Sequence, residues 1–300
     1  MNPRQAQIAI HVTAVLFGLT GIFGELIQGS ATLITAGRAS FATVTLLLFM
    51  LQARHRPSAP ARHRRPIWVL LLAGVLLAIH WTTFFVAVKI GGIAIATLGF
   101  ASFPAFITLF EGFLFKERTR ASEWAVVLLV TAGLVLVTPS FDFRNQATIG
   151  LGWAIVSGLS FALFTLANRK AVTQVPAREL AAWENLVVAT LTLPWCLGEF
   201  TTLRAVDWLW IFMLGVFCTA LSHSLLVSCL AKLKARTAGI VLALEPVYAI
   251  LFAAILFAQY PSVRALIGGA LIIGAIVWSG TRHTEGPAAP PAAVSPARTD

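Results

Sequence analysis

ATLGFASFPAFITLFEGFLFKE (residues 96–117) and AGIVLALEPVYAILFAAILFAQ (residues 238–259) decide how this chain is read. Each is an apolar run of 22 residues, about the length a helix needs to cross a hydrocarbon core roughly 30 Å thick. Aligned without gaps at an offset of 142, seven of the 22 pairs are identical: Ala96/Ala238, Ala101/Ala243, Pro104/Pro246, Leu109/Leu251, Phe110/Phe252, Leu114/Leu256 and Phe115/Phe257. Most of these are ordinary membrane residues, so identity alone decides little. The paired prolines and the polar pair Glu117/Gln259, kept in one register, weigh more.

Apolar stretches of similar length flank these two. The reading is ten spans over 8–28, 32–52, 67–88, 92–115, 122–139, 149–168, 178–198, 207–230, 237–258 and 262–281. The composition agrees, with 58% hydrophobic and 11% charged residues against about 25% charged in soluble domains. The expected fold is an all-α membrane protein of ten transmembrane helices. The quoted echo divides it into two five-helix repeats, 8–139 and 149–281. Five is odd, so the second copy enters the membrane from the opposite side, and inverted repeats of this kind are typical of secondary transporters. A purely structural duplication is the competing reading. The first span is too long for a signal-peptide core and no small-residue cleavage site follows it, so it reads as a retained helix. Residues 284–300, TEGPAAPPAAVSPARTD, read as a disordered cytoplasmic tail.

The net charge of +10 is not a nucleic-acid signal here. With the N-terminus inside, 17 of the 22 Lys and Arg residues fall in inner segments and four (Lys89, Arg144, Arg204, Arg264) in outer ones, Arg38 lying within the second span. That asymmetry follows the positive-inside rule and places both termini in the cytoplasm of a cell inner membrane. Cys196, Cys218 and Cys229 have spacings with no metal or disulfide logic and read as small apolar filler.

The small-residue and proline pattern ATLGFASFPAF, the Lys116-Glu117-Arg118 end of span four, the echo AGIVLALEPVYA in span nine, and Arg38 inside span two resemble the EamA type of the drug/metabolite transporter superfamily. The resemblance covers nearly the whole chain. The second copy departs from it where Gln259 replaces the acid that ends span four. It implies a basket of ten helices, with spans 1, 3, 4, 6, 8 and 9 lining a central cavity and spans 5 and 10 packed outside. It also implies export of small metabolites, often amino acids, by alternating access.

Ionisable residues inside a bilayer cost about 2.5–3.5 kcal/mol each at a helix centre on the insertion scale, so function is the default hypothesis for them. Glu245 lies near the middle of span nine, and Pro246 after it lacks a backbone donor. Glu245 is a candidate proton carrier or a partner for a substrate ammonium; the competing reading is a protonated acid capping the backbone gap at the proline. His80 in span three and His223 in span eight are near-equivalents in the 142 register. Together they suit substrate binding or proton relay, against simple hydrogen bonding to a neighbouring helix. Neither has an i, i+4 ligand partner, which argues against metal. Arg38 and Glu25 read either as an ion pair closing the outer side or as Arg38 snorkelling to headgroups. Glu184 and Asn185 sit at about the mirror position of Arg38.

Aromatic residues Trp81, Phe103, Phe106, Trp153, Phe161 and Tyr248 are candidate lining for an amphiphilic or aromatic solute. Trp68, Trp124, Trp208, Trp210 and Trp278 lie near span ends and read as interfacial anchors. Gly91, Gly92, Pro104 and Pro246 are candidate hinges, with helix packing as the plainer explanation. An intramembrane hydrolase finds only the fragment Ser157-Gly158-Leu159-Ser160, and nucleotide-driven pumping finds no P-loop. No cofactor is expected. The function expected is a secondary transporter exporting small amphiphilic metabolites, amino acids first. A proton-coupled exporter of cationic drugs, or a carrier of other metabolites such as nucleosides, is the alternative. The implied partners are a small-molecule substrate, the lipid bilayer and, in the coupled case, protons. One chain holds both repeats, so a monomer suffices and the oligomeric state is open.

Overall fold

A computed structural model describes residues 2–53, 67–114, 121–140, 142, 144–171, 177–230 and 241–282. Glu117, most of the inner-segment basic residues and the 284–300 tail lie outside the described residues. Most of the described residues are helical and none forms a strand: α1 (Pro3–Leu26), α2 (Ala31–Ala53), α3 (Ile67–Gly91), α4 (Ile93–Phe100), α5 (Phe103–Leu114), α6 (Ala121–Val137), α7 (Gln146–Ala171), α8 (Ala177–Thr192), α9 (Ala205–Gly215), α10 (Ser222–Leu230), α11 (Glu245–Phe257) and α12 (Val263–Arg282). Six apolar stretches are long enough to cross a bilayer, and shorter apolar helices accompany them. The helix ends have local causes. Asn2 and Gln5 form a reciprocal capping box ahead of α1, with Pro3 in its first turn.

Four of the expected continuous spans are interrupted. Span four is two helices joined by a turn at Ala101–Ser102, and the described part of span nine turns at Ala243–Leu244 before α11. In both, the proline falls in the first turn of the new helix, where its missing N–H leaves no bond unmade. Within span eight, one π turn, Val216–Leu221, separates α9 from α10. Span seven stops at Thr192, and two short 3₁₀ turns, Leu193–Trp195 and Leu197–Thr201, complete it.

Small residues set the packing. α3 packs on α7 and α8, as α10 and α9 pack on α1 and α2; α4 and α5 pack on α7, as α11 packs on α1. α2 pairs with α8, and α6 with α12. The backbones touch at glycines: a Cβ on Gly133 of α6 would stand 2.8 Å from the Gly268 carbonyl oxygen of α12, and one on Gly150 of α7 would stand 2.6 Å from the Gly91 Cα. Such contacts let helices associate by close van der Waals approach where the surrounding medium is itself apolar. The outer surface is apolar to match, with Trp68 80% and Leu128 and Ile255 each 68% exposed. Trp210 departs from its anchoring role, being half-buried and stacked on Phe23 with ring centroids 5.9 Å apart.

Candidate functional site

A cavity of about 440 Å³ occupies the centre of the bundle. Its wall draws on α1 (Phe17, Thr20), α3 (His80, Trp81, Phe84), the break between α4 and α5, α7 (Phe161, Phe164), the π turn and α10 (Thr219, His223), and the stretch Leu242–Pro246. Spans 2, 7 and 10 contribute as well, through Arg38, through Glu184 with Asn185, and through Ile276, so span ten is not wholly outside the cavity. The wall is broader than the six-span lining the family resemblance implies.

Arg38 is the cation of the site. It is 6% exposed, so it does not snorkel. Its Nε donates to Thr219 Oγ1 at 2.7 Å, and its guanidinium stands 4.1 Å from the Trp81 ring centroid. Thr219 belongs to the π turn, where its hydroxyl donates to the Leu214 carbonyl five residues back. Gly215 makes this approach feasible, because a Cβ there would stand 2.8 Å from the Arg38 carbonyl oxygen. The expected Arg38–Glu25 ion pair does not form, since α2 turns Arg38 inward to the cavity. Glu25 keeps to the end of α1, where Lys89 donates to the carbonyls of Glu25 and Ile27. That face of the bundle is tied further. Asp207 accepts from the Gln28 N–H at 3.0 Å and from Arg204 at 2.7 Å, and Glu199 accepts from the Ser30 hydroxyl at 2.7 Å. The Asp207 carboxylate holds the Arg204 guanidinium above its ordinary pKa.

His80 and His223 both face the cavity. His80 Nδ1 lies 2.7 Å from Ser157 Oγ and 3.2 Å from the Ser157 carbonyl oxygen, while the Ser157 hydroxyl donates to the His80 carbonyl. A carbonyl only accepts, so Nδ1 carries a proton. Both serines of the fragment Ser157–Ser160 are buried, the Ser157 hydroxyl donating to the His80 carbonyl and the Ser160 hydroxyl to the Val156 carbonyl. His80 also sits against Phe161 and Phe100, at centroid distances of 4.8 and 4.9 Å. His223 is exposed to the cavity, which it lines.

Glu245 opens α11 directly after the Ala243–Leu244 turn and faces the cavity with Pro246. α1 lies against it at Gly18, whose added Cβ would stand 3.2 Å from the Glu245 carbonyl oxygen. Glu245, His80 and His223 all lie within electrostatic reach of Arg38. Beside His80 stands an aromatic wall in which Phe103 packs on Phe100 at 5.2 Å and on Phe161 at 5.1 Å.

Of the residues expected in the site, the fold brings Arg38, His80, Trp81, Phe103, Pro104, Phe161, His223, Glu245 and Pro246 to one cavity. Trp153 is 42% exposed and stands outside the cavity wall. Phe106 is not part of that wall, and Tyr248 packs on Gly18 of α1 instead. Gly92 holds a φ of 81° at the joint of α3 and α4, and Gly91 packs on Gly150. Gln259 reaches this joint through a 3.4 Å bond from the Ile93 N–H. Thr219 was not foreseen; a threonine in an apolar run carries no signal until the π turn aims it. Among the described residues no group of three or more His, Cys, Asp or Glu side chains could hold a metal ion, and the three cysteines are free and buried.

The EamA-like transporter family matches this chain twice, over residues 5–138 and 148–281. An uncharacterised transporter of Archaeoglobus fulgidus is 26% identical, over 91% of this chain and 96% of its own length. The pseudopaline exporter of Pseudomonas aeruginosa is 25% identical over 83% of this chain and 87% of its own length. The S-adenosylmethionine uptake transporter of Rickettsia bellii is 23% identical over 80% of both chains. A solved crystal structure shares the fold with a TM-score of 0.61 at 21% identity, covering 92% of this chain and 96% of that one.

Proposed function

The chain belongs to the EamA-like transporter family, a multi-pass membrane protein, and on that premise we propose that it exports small amphiphilic metabolites, amino acids first, by alternating access. The observation that carries this reading is the cavity itself. Arg38 and Glu245 face it within electrostatic reach of one another, beside a wall of Phe100, Phe103 and Phe161. A carboxylate fits the guanidinium, an ammonium fits the acid, and an apolar chain fits the aromatic wall. Two inverted five-helix repeats, 8–139 and 149–281, supply the moving parts. Their support is the double family match and the two helix breaks, which fall at equivalent positions in the 142 register. On this reading both termini lie in the cytoplasm of a cell inner membrane, supported by the bias of Lys and Arg toward the inner segments.

Glu245, an acid deep in the membrane, favours a second reading as a proton-coupled exporter of cationic solutes. One assay separates the two: uptake of radiolabelled leucine, phenylalanine and a lipophilic cation into liposomes holding the purified protein, with and without a pH gradient. Saturable amino-acid uptake is the expected result. Transport of the cation alone, and only with the gradient, establishes the second reading instead.

A further inference from the structure

Four side-chain oxygens among the described residues are buried without a hydrogen-bond partner: Glu25 Oε2, Asn168 Oδ1, Glu184 Oε1 and Asn185 Oδ1. Two of them, on consecutive residues of α8, belong to side chains that line the cavity. Glu184 is 3% and Asn185 4% exposed, so water outside the bundle does not satisfy them. The Asn185 amide has one sensible orientation. Its Nδ2 donates to the Ala181 carbonyl at 2.8 Å, and the flipped amide would set two oxygens face to face. Oδ1 is therefore a fixed acceptor. Among the described residues, the side chain of Asn168 of α7 acts on Glu184.

Both atoms ask for donors. Arg38 is already engaged by Thr219 and Trp81. Besides Arg38 and Glu245, the cavity wall thus carries two buried oxygens, on Glu184 and Asn185, that lack a donor. A primary ammonium brings three N–H donors and a positive charge, which offsets the cost of keeping a carboxylate out of water. A hydroxyl brings one donor and no charge, and a carboxylate brings none.

We propose that Glu184 and Asn185 form a second subsite of the cavity, for the side-chain ammonium of a diamino acid whose amino-acid head lies between Arg38 and Glu245. This rests on the cavity being the solute site described under Proposed function. The substrate class narrows accordingly, to amino acids with a cationic end separated from the head by a flexible apolar stem that runs along the aromatic wall.

The test compares L-lysine with L-norleucine, whose stem is of similar length and ends in a methyl group, in uptake by proteoliposomes holding the full chain. Wild type is expected to favour lysine at least tenfold in uptake efficiency. Glu184→Gln should remove that preference while leaving norleucine within about twofold, and Asn185→Leu should reduce it by a smaller factor. Thermal unfolding of each variant checks folding, and Glu184→Asp, which keeps the charge, should restore part of the lysine preference. The subsite is overturned if wild type carries norleucine but not lysine, if Glu184→Gln lowers both alike, or if it changes neither; the amino-acid reading survives each of these. Uptake of neither solute overturns the amino-acid reading, and binding of 1-aminopentane, read as a thermal shift, then judges the subsite alone. A shift in wild type that Glu184→Gln abolishes supports it, and no shift in wild type overturns it.

Discussion

Arg38 shows how much one side chain depends on its surroundings. Its charge is buried against Trp81 and held by Thr219, so the two contacts fix where a substrate carboxylate meets the guanidinium. Thr219→Val keeps the shape of the threonine and orphans the buried Nε donor. It should cost about 1–3 kcal/mol of stability, read by thermal unfolding in detergent, and should weaken transport through misplacement of Arg38. Lysine is no substitute at position 38, because an ammonium lacks the planar fork that both stacks and donates; Arg38→Lys should lose most uptake with little change in unfolding temperature. Trp153 provides the contrast. It stands 42% exposed outside the cavity wall, so Trp153→Ala should leave uptake within about twofold, while Phe161→Ala, within that wall, should reduce it severely. The two aromatics look alike in the sequence. Both lie in a helix that is apolar on every side, and no amphipathic stripe says which way each one points. Arg38, His80, His223 and Glu245 were legible because a titratable group in an apolar run stands out whichever face it occupies.

The elements that shape the site are the irregular ones. Pro104 and Pro246 read from the sequence as candidate hinges within continuous spans, and the chain instead begins new helices there. The reason is local: a proline costs least in a first turn, so the chain turns just before it. Pro246→Ala gives span nine a residue able to continue the helix. It should leave unfolding temperature unchanged or raised and slow transport, with the ratio of uptake rates as the readout. Gly18 is the matching constraint on α1, since its added Cβ would stand 2.9 Å from the Tyr248 Cβ and 3.2 Å from the Glu245 carbonyl oxygen. Gly18→Val should displace the start of α11, costing about 1–3 kcal/mol through overpacking, and move Glu245 away from Arg38. The π turn had no such marker. Its residues, Val216–Leu221, read as plain apolar helix, and only Gly215 beside them hints at a close crossing.

At the scale of the molecule, the length, the apolar composition and the ungapped echo at 142 residues were enough to read an all-helical membrane bundle. The arrangement of its faces was not legible, because it depends on contacts between distant segments. The face carrying the α1–α2 turn is the clearest case: Asp207 and Glu199 clamp Gln28 and Ser30, pairs 179 and 169 residues apart. Loosening this clamp with Asp207→Asn should shift the protein toward opening on that face, seen as faster thiol labelling of a cavity cysteine from that side. In alternating access, one cavity serves both sides of the membrane in turn. This is tested most directly by His223→Cys in a chain whose Cys196, Cys218 and Cys229 are replaced by alanine, sealed in vesicles and exposed to a membrane-impermeant maleimide from each side separately. Labelling from both sides, with protection by a transported amino acid on both, is the expected result. Labelling from one side only, unaffected by any transported solute, would contradict it.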